Sequence, residues 1–295
     1  MRVTVLASGS GGNCTLVEAP GARVLVDCGL SLRETARRLA DVGVDTKDLT
    51  AIFLTHEHGD HAGGAPAVSR KLGVPVYATA GTQRTAGVAG ELRRTLRAGT
   101  AVRVGSLQVK PFAVPHDAAE PVCFVLEEVR LQLGLFDFGV GDLSPTAGRR
   151  SHPAPPPGSA RESALDAVGE VRARVGIATD LGRPSPSVVR ELTGCDVLVV
   201  EMNHDEAMLM DGPYPHSLKA RVRSPRGHLS NGQGAELLMR ATTRRTRRVV
   251  LAHLSETNNT PDLARREAER VLAGRGGGVR LDVALQKQPL LPVEI

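Results

Sequence analysis

The sequence predicts an α/β fold, with sheets covered on the outside by helices, and three observations carry that reading. Short β-rich runs alternate with helical patterns in both halves of the chain. Turn signals containing Gly, Pro, Asn or Asp separate many of the runs. A chain of 295 residues with 41% hydrophobic content holds enough apolar side chains for one sizeable core.

In the first half the β-type runs are RVTVLA, CTLVEA, RVLVDCG, TAIFLTH, PVYAT and LQVKPFAV. The first intervening helix is SLRETARRLADVG, where Ser31 and Glu34 have the spacing of a capping box. A second helix is expected over HAGGAPAVSRKLG, closed by Gly73. The glycine-rich SGSGGN follows a strand, as a nucleotide-binding loop would. Such a loop must open a helix whose N-terminus faces the phosphates, and the residues that follow, CTLVEAPGARVLVD, are β-type. A tight connection between two strands is the better reading.

The second half runs VGIATDLG, a helix from SPSVVRELTG, CDVLVVEMN, a helix over NGQGAELLMRATT, RRVVLAHLS, a helix over TPDLARREAERVLAG, and VRLDVAL. Between about 130 and 172 the alternation breaks down into a stretch crowded with Pro, Gly, Ser and Arg. Flanking runs PVCFVLEE and VGIATD look like neighbours in one sheet. The stretch is therefore expected to be a surface insertion within a single domain spanning 1–295, and His152 a loop residue.

Composition narrows the context. Cys14, Cys28, Cys123 and Cys195 lack CxxC spacing and lie in or beside apolar runs, which predicts buried free thiols. The opening MRVTVLASGS has no basic stretch leading into a long apolar one. No window approaches the roughly 18 to 20 apolar residues that span a bilayer. These features place the chain in the cytoplasm without a membrane partner. A formal charge of +5 and pI near 9.3 suit an anionic partner, although charge alone carries little weight.

The stretch FLTHEHGDHAGG puts His56, His58, Asp60 and His61 within six positions directly after an apolar run. Neutral imidazoles and a carboxylate are the donors that borderline divalent cations favour, and a strand end followed by a glycine turn can aim several at one point. So dense a cluster cannot saturate two ions by itself. His116 in FAVPHDA, Asp180 in GIATDLG and His253 in VVLAHLS each follow a β-type run and are expected at the same sheet edge.

With these residues in place, HxHxDH, a later His, the Asp of TDLG and a final His resemble the metallo-β-lactamase superfamily over nearly the whole chain. SGSGGNC, THEHGDHAGG, ATDLG, EMNHDEAML, GPYPHSLKARV, GHLSN and LAHLSETNN are similar to its YycJ/WalJ branch, whose members are regarded as metal-dependent 5′→3′ DNA exonucleases. The resemblance implies an αββα sandwich of two mixed sheets flanked by helices, with the site along one edge. It implies that His56, His58 and His116 hold one ion, that Asp60, His61 and His253 hold the second, and that Asp180 bridges them. The ions would be Zn²⁺ or Mn²⁺, since a nitrogen and oxygen donor set admits both.

The same resemblance makes Asp27 of VLVDCG a support for the site from a strand end. It makes His228 of GHLSN a group that touches the scissile phosphate or protonates the leaving oxygen, with Asp60 and Asp180 positioning an activated water. Glu201, Asn203 and His204 are expected to orient His228 or to meet substrate. Ser230 and Asn231 also suit the start of a helix, and Asn258 with Asn259 a loop packed behind His253. Arg221, Arg223 and Arg226 are candidates for following a DNA backbone. A small-molecule hydrolase acting on a thioester, lactone or cyclic phosphodiester would use the same metal ligands. A non-catalytic metal-stabilised binding module is the remaining alternative, although seven converging ligands exceed the four of a closed structural site.

Overall fold

The structure, a computed structural model, describes residues 1–130, 170–273 and 278–295. Most of the first sheet forms from the N-terminal part of the chain: β1 (Arg2–Ala7), β2 (Cys14–Ala19), β3 (Ala22–Val26), β4 (Ala51–Phe53), β5 (Val76–Thr79) and β6 (Arg93–Leu96). The second sheet contains β7 (Val102–Val104), β8 (Leu107–Ala113), β9 (Val122–Arg130), β10 (Glu170–Ala178), β11 (Val197–Glu201), β12 (Arg248–Ala252) and β13 (Arg280–Val283). Finally β14 (Val293–Glu294) returns to pair with β1. Among the described residues the strand orders are β14-β1-β2-β3-β4-β5-β6 and β13-β12-β11-β10-β9-β8-β7.

Both sheets are mixed in the same way. β1, β2 and β3 are antiparallel neighbours, whereas β3 to β6 run parallel. Likewise β7 to β10 are antiparallel and β10 to β13 parallel. Parallel neighbours need crossover connections, and helices supply most of them. These are α1 (Leu32–Asp41), α2 (Gly59–Ala62), α3 (Ala65–Leu72) and α4 (Ala80–Thr85) on the first sheet. On the second they are α5 (Pro186–Leu192), α6 (Glu206–Asp211), α7 (His216–Val222), α8 (Asn231–Ala241) and α9 (Pro261–Leu272).

Period-two alternation along the strands sorts the apolar side chains into three layers. Val3, Val5, Val17, Val24, Val26 and Phe53 of one sheet meet Val109, Phe124, Leu126, Val175, Ile177 and Val199 of the other. Phe53 stacks on Tyr77 and meets Phe124 edge-on across the two sheets, with centroids 4.7 and 5.8 Å apart. The opposite faces of the strands pack under the helices. Leu16, Leu25 and Ile52 lie with Leu39 and Val68, and Val125, Leu198 and Leu251 with Leu192, Leu238 and Ala264. The result is the expected αββα sandwich.

Several local expectations hold and several are corrected. SGSGGN joins antiparallel β1 and β2, and the cysteines are free and buried. Ser31 caps α1 by accepting from the Glu34 N–H, but the box is incomplete because the Glu34 carboxylate pairs with Arg37 and Arg38 instead. The helix expected over 61–73 is broken into α2 and α3. At the break Gly64 packs so tightly on the Leu30 carbonyl that a Cβ would overlap it. β6, β7, α4, α6 and α7 were not foreseen: each is short, and their runs carry too few alternating or periodic apolar residues to stand out. Of the stretch expected to be an insertion, Arg130 ends β9 and Glu170 to Arg172 belong to β10, while 131–169 lie outside the described residues. His152 lies outside the described residues. No helix among the described residues is long and apolar enough to cross a membrane.

Arg130 and Glu170 stand directly opposite each other where β9 and β10 pair antiparallel. Replacing 131–169 by a two-residue type I′ turn is therefore expected to keep the fold, with a melting temperature within a few degrees of the parent by calorimetry. Loss of the cooperative transition would show that the replaced residues belong to the core.

Candidate metal centre

The polar cluster forms at the carboxyl ends of the parallel strands, where both sheets present loops on the same edge. Asp27 follows β3, the HEHGDH segment follows β4, Asp180 follows β10, Glu201 ends β11 and His253 follows β12. Asp27, Asp180 and His253 have φ of 61°, 59° and 55°, the left-handed region that side chains other than Gly seldom occupy. Each such residue costs on the order of 1 kcal/mol or more, so the surroundings must impose it. They do so by hydrogen bonds: Asp27 N–H to Phe53 O at 2.8 Å, His253 N–H to Ser8 Oγ at 2.6 Å, and Leu181 N–H to Glu201 Oε2 at 3.2 Å.

The donor atoms fall into overlapping groups. His56, His58 and His116 converge in one, and Asp60, His61 and His253 in another. His56 Nε2 and His116 Nε2 lie 3.0 and 3.3 Å from His58 Nδ1. In the second group His61 Nε2 and His253 Nε2 are each 3.5 Å from Asp60 Oδ2. Asp180 sits between them, with Oδ2 3.0 Å from His61 Nε2 and Oδ1 3.9 Å from His116 Nε2. Ligand bonds of ~2.0–2.2 Å in a tetrahedron imply donor separations of roughly 3.3–3.6 Å, close to these spacings. The far nitrogen of three of the rings is already engaged. His61 Nδ1 meets Asp27 Oδ2 at 2.8 Å, His116 Nδ1 meets Gly227 O at 3.1 Å, and His253 Nδ1 meets Glu201 Oε1 at 2.9 Å. Asp180 Oδ2 and His253 Nε2 are buried without a hydrogen-bond partner. Buried ligand atoms left without a hydrogen-bond partner inside such a cluster are what a divalent cation satisfies, so the residues fit metal ions.

Electrostatics divides the cluster. Burial holds the His56 and His116 imidazoles below the usual histidine range, so both are neutral ligands in waiting. Burial also opposes charge on His61 and His253, but carboxylates overcome it: Asp180 and Asp27 raise His61, and Asp180, Asp60 and Glu201 raise His253 to about 10.

Other expected residues fall into place around this core. Asp27 takes hydrogen bonds from both the N–H and the hydroxyl of Thr55 while holding His61. His228 lies between the groups, its ring 5.3 Å from that of His116 and 5.2 Å from that of His253. Glu201 Oε1 stands 2.8 Å from His228 Nδ1, so Glu201 orients His228 and His253 together. Asn203 does not face the cleft; its amide donates to His253 O. His204 is buried and bridges to Ser230 through the backbone. Ser230 caps α8 in a complete capping box, and Asn231 and Asn259 exchange amide hydrogen bonds behind it. Arg221 is paired with Asp117 at 2.5 Å, and Arg223 lies against Met210 Sδ.

Sequence reasoning missed three supports. Asn13 Nδ2 stands 2.9 Å from His61 Nε2, Ser8 holds the His253 backbone, and Thr55 Oγ1 lies 2.9 Å from His56 Nδ1. The first two come from the glycine-rich loop, whose place beside the histidines was the available signal.

A candidate metal centre at one edge of an αββα sandwich points to a class, the metallo-β-lactamase fold, and comparison with known proteins agrees. Residues 7–165 match the model of the metallo-beta-lactamase superfamily, and the chain belongs to that superfamily. Within it the chain is 30% identical over 284 residues to exodeoxyribonuclease YycJ of Bacillus anthracis, covering 95% of this chain and 92% of that one. It is also 30% identical over 274 residues to a ribonuclease Z of Streptomyces avermitilis, covering 87% and 85%. The crystal structure of the metallo-beta-lactamase fold protein YhfI from Bacillus subtilis superposes with a TM-score of 0.65 at 15% identity, covering 98% of both chains. The chain is a hydrolase of this superfamily.

Raised pKa values at His61 and His253 mean that both rings carry their extra proton at pH 7 in the metal-free protein. A cation at that group has to displace those protons. Zn²⁺ uptake is therefore expected to release protons at pH 7, and its apparent affinity to rise as pH increases toward about 10. Calorimetric titrations in buffers of different ionisation enthalpy measure the release, and an uptake enthalpy independent of buffer would contradict it.

Proposed function

We propose that the protein is a metal-dependent phosphodiesterase that degrades DNA from the 5′ end, using two divalent ions, Zn²⁺ or Mn²⁺, held by His56, His58 and His116 and by Asp60, His61 and His253, with Asp180 shared. The observation that carries this reading is His228. Its side chain is 20% exposed, between the two donor groups, and backed by a fully buried Glu201. Burial would lower its pKa, but Glu201 and Asp180 raise it above the usual histidine range, which favours the protonated ring. With Nδ1 committed to Glu201, Nε2 is left to meet a ligand. A protonated imidazole at the mouth of a metal site suits a leaving alkoxide, which phosphodiester hydrolysis produces and must protonate.

When bound, the ions supply an acidified water and neutralise charge on the phosphate oxygens. The chain does the rest. Asp27 and Glu201 hold His61 and His253 in the tautomers that present Nε2, and Gly227 O does the same for His116. Asp60 and Asp180 bring carboxylate oxygens to the point where the nucleophile must sit. The DNA reading is favoured over an RNA one by the wider match to the YycJ relative, which covers more of both chains than the ribonuclease Z match does. A small-molecule ester or thioester hydrolase would leave the Glu201–His228 pair without a task. Turnover on DNA, RNA, bis(p-nitrophenyl) phosphate and a thioester, measured side by side, separates these readings; cleavage of the thioester alone would sink the proposal.

His61→Ala and Asp180→Asn are each expected to lower metal content and abolish activity together, as read by elemental analysis and initial rates. Parental rates from a metal-depleted variant would overturn the ligand assignment. By contrast His228→Ala is expected to keep its metal and lose roughly 10²- to 10⁴-fold in turnover on DNA. The loss should be much smaller on a nitrophenyl ester, whose leaving group needs no proton. Equal losses on both would make His228 a binding or structural residue.

A further inference from the structure

A recess that shares His116 with the metal cluster extends away from it, and its other lining residues have no role in the chemistry above. Its walls are Pro115, Pro121 and Pro225 with neighbouring alanine and valine side chains, Arg183 and Arg226 also line it, and no acidic side chain does. Three loops are locked together to form it. Gly182 donates to Pro115 O at 2.9 Å, and His116 Nδ1 meets Gly227 O. At Gly182 a Cβ would overlap the Pro225 carbonyl and the Arg226 nitrogen, so only glycine lets the loops after β10 and α7 close on each other. This contact makes neighbours of Arg183 and Arg226, which are far apart in the chain.

Both arginines are exposed, and among the described residues neither guanidinium has an ion-pair or hydrogen-bond partner. Nearby Arg221 is neutralised by Asp117 and Arg223 rests on Met210, so of the three cations at 221–226 only Arg226 keeps its guanidinium free. Two guanidiniums without a carboxylate repel metal ions and attract anions, and their planar forks match phosphate oxygens. The proline faces beside them suit a flat, apolar group.

We propose that this recess is a nucleotide subsite: Arg183 and Arg226 bind a phosphate next to the one being hydrolysed, while the proline walls receive the attached sugar and base. The inference rests on the phosphodiesterase reading and adds to it where the substrate strand runs, past His116 between the loops after β10 and α7. With both guanidiniums engaged by phosphate, the proline, alanine and valine walls offer no side-chain hydrogen bond to base edges, so the subsite positions a strand without selecting its sequence.

The test compares the metal-loaded wild type with Arg183→Ala/Arg226→Ala on a single-stranded oligonucleotide and on bis(p-nitrophenyl) phosphate. Loss of charged hydrogen bonds is expected to cut the oligonucleotide-to-small-ester ratio of kcat/KM at least about tenfold, chiefly through KM. The slope of log(kcat/KM) against log salt on the oligonucleotide should flatten by roughly 0.7 for each lost phosphate contact. Arg183→Lys/Arg226→Lys should restore the salt slope, because charge is kept, but only part of the KM, because the fork is lost. If the wild type degrades the oligonucleotide and the alanine variant matches it in ratio and slope, the subsite is wrong and the nuclease reading stands. A wild type that hydrolyses the small ester but leaves the oligonucleotide intact overturns both.

Discussion

One buried carboxylate, Glu201, ties together much of the second sheet's contribution to the site. Oε1 lies against the Nδ1 atoms of His228 and His253, and Oε2 accepts from the N–H groups of Leu181 and Leu229. The ends of β10, β11 and β12 and the entry to α8 therefore meet at a single side chain. An isolated carboxylate at that depth would take up a proton to escape the cost of burial. Here burial is outweighed by His228 and His253, and the group is held down at about 2. Asp27 plays the matching part on the first sheet, joining β3 to Thr55 and His61.

Strain and burial are arranged for the same end. Three left-handed residues at strand ends, two buried aspartates and several buried histidines would each destabilise an ordinary edge. They persist because hydrogen bonds fix each strained stretch: Phe53 O takes the Asp27 N–H, Ser8 of the first sheet's opening loop holds His253 across the two sheets, and Glu201 holds the Leu181 N–H beside Asp180. A cluster of unpartnered donors is thus preorganised for cations, so their binding requires little rearrangement.

Near-symmetry of the two sheets explains where the site lies. Each has an antiparallel half and a parallel half, and only the parallel halves end all their strands on one edge. Short loops there are free to carry chemistry, while the inter-sheet layer around Phe53 and Phe124 fixes how far apart the two sets of loops stand.

Fold class and the convergence of the candidate ligands could be read in the chain because both are written locally. Period-two runs reveal strands whatever they pair with, and HEHGDH places four ligand-type side chains so close together that a rigid turn alone can make them converge. His116, Asp180 and His253 were legible for a similar reason, each standing just past a buried run. What each polar side chain faces was decided by tertiary structure. Asn203 turned to the backbone behind His253, Arg221 to Asp117, and Glu34 to arginines rather than to its cap. Asn13 and Ser8 became supports of the site only because β1 and β2 deliver their loop to the same edge. A side chain's type and its position on a strand follow from nearby residues, but its hydrogen-bond partner depends on distant loops brought within 3 Å by the packing of two sheets, and that contact has no local signature in the sequence.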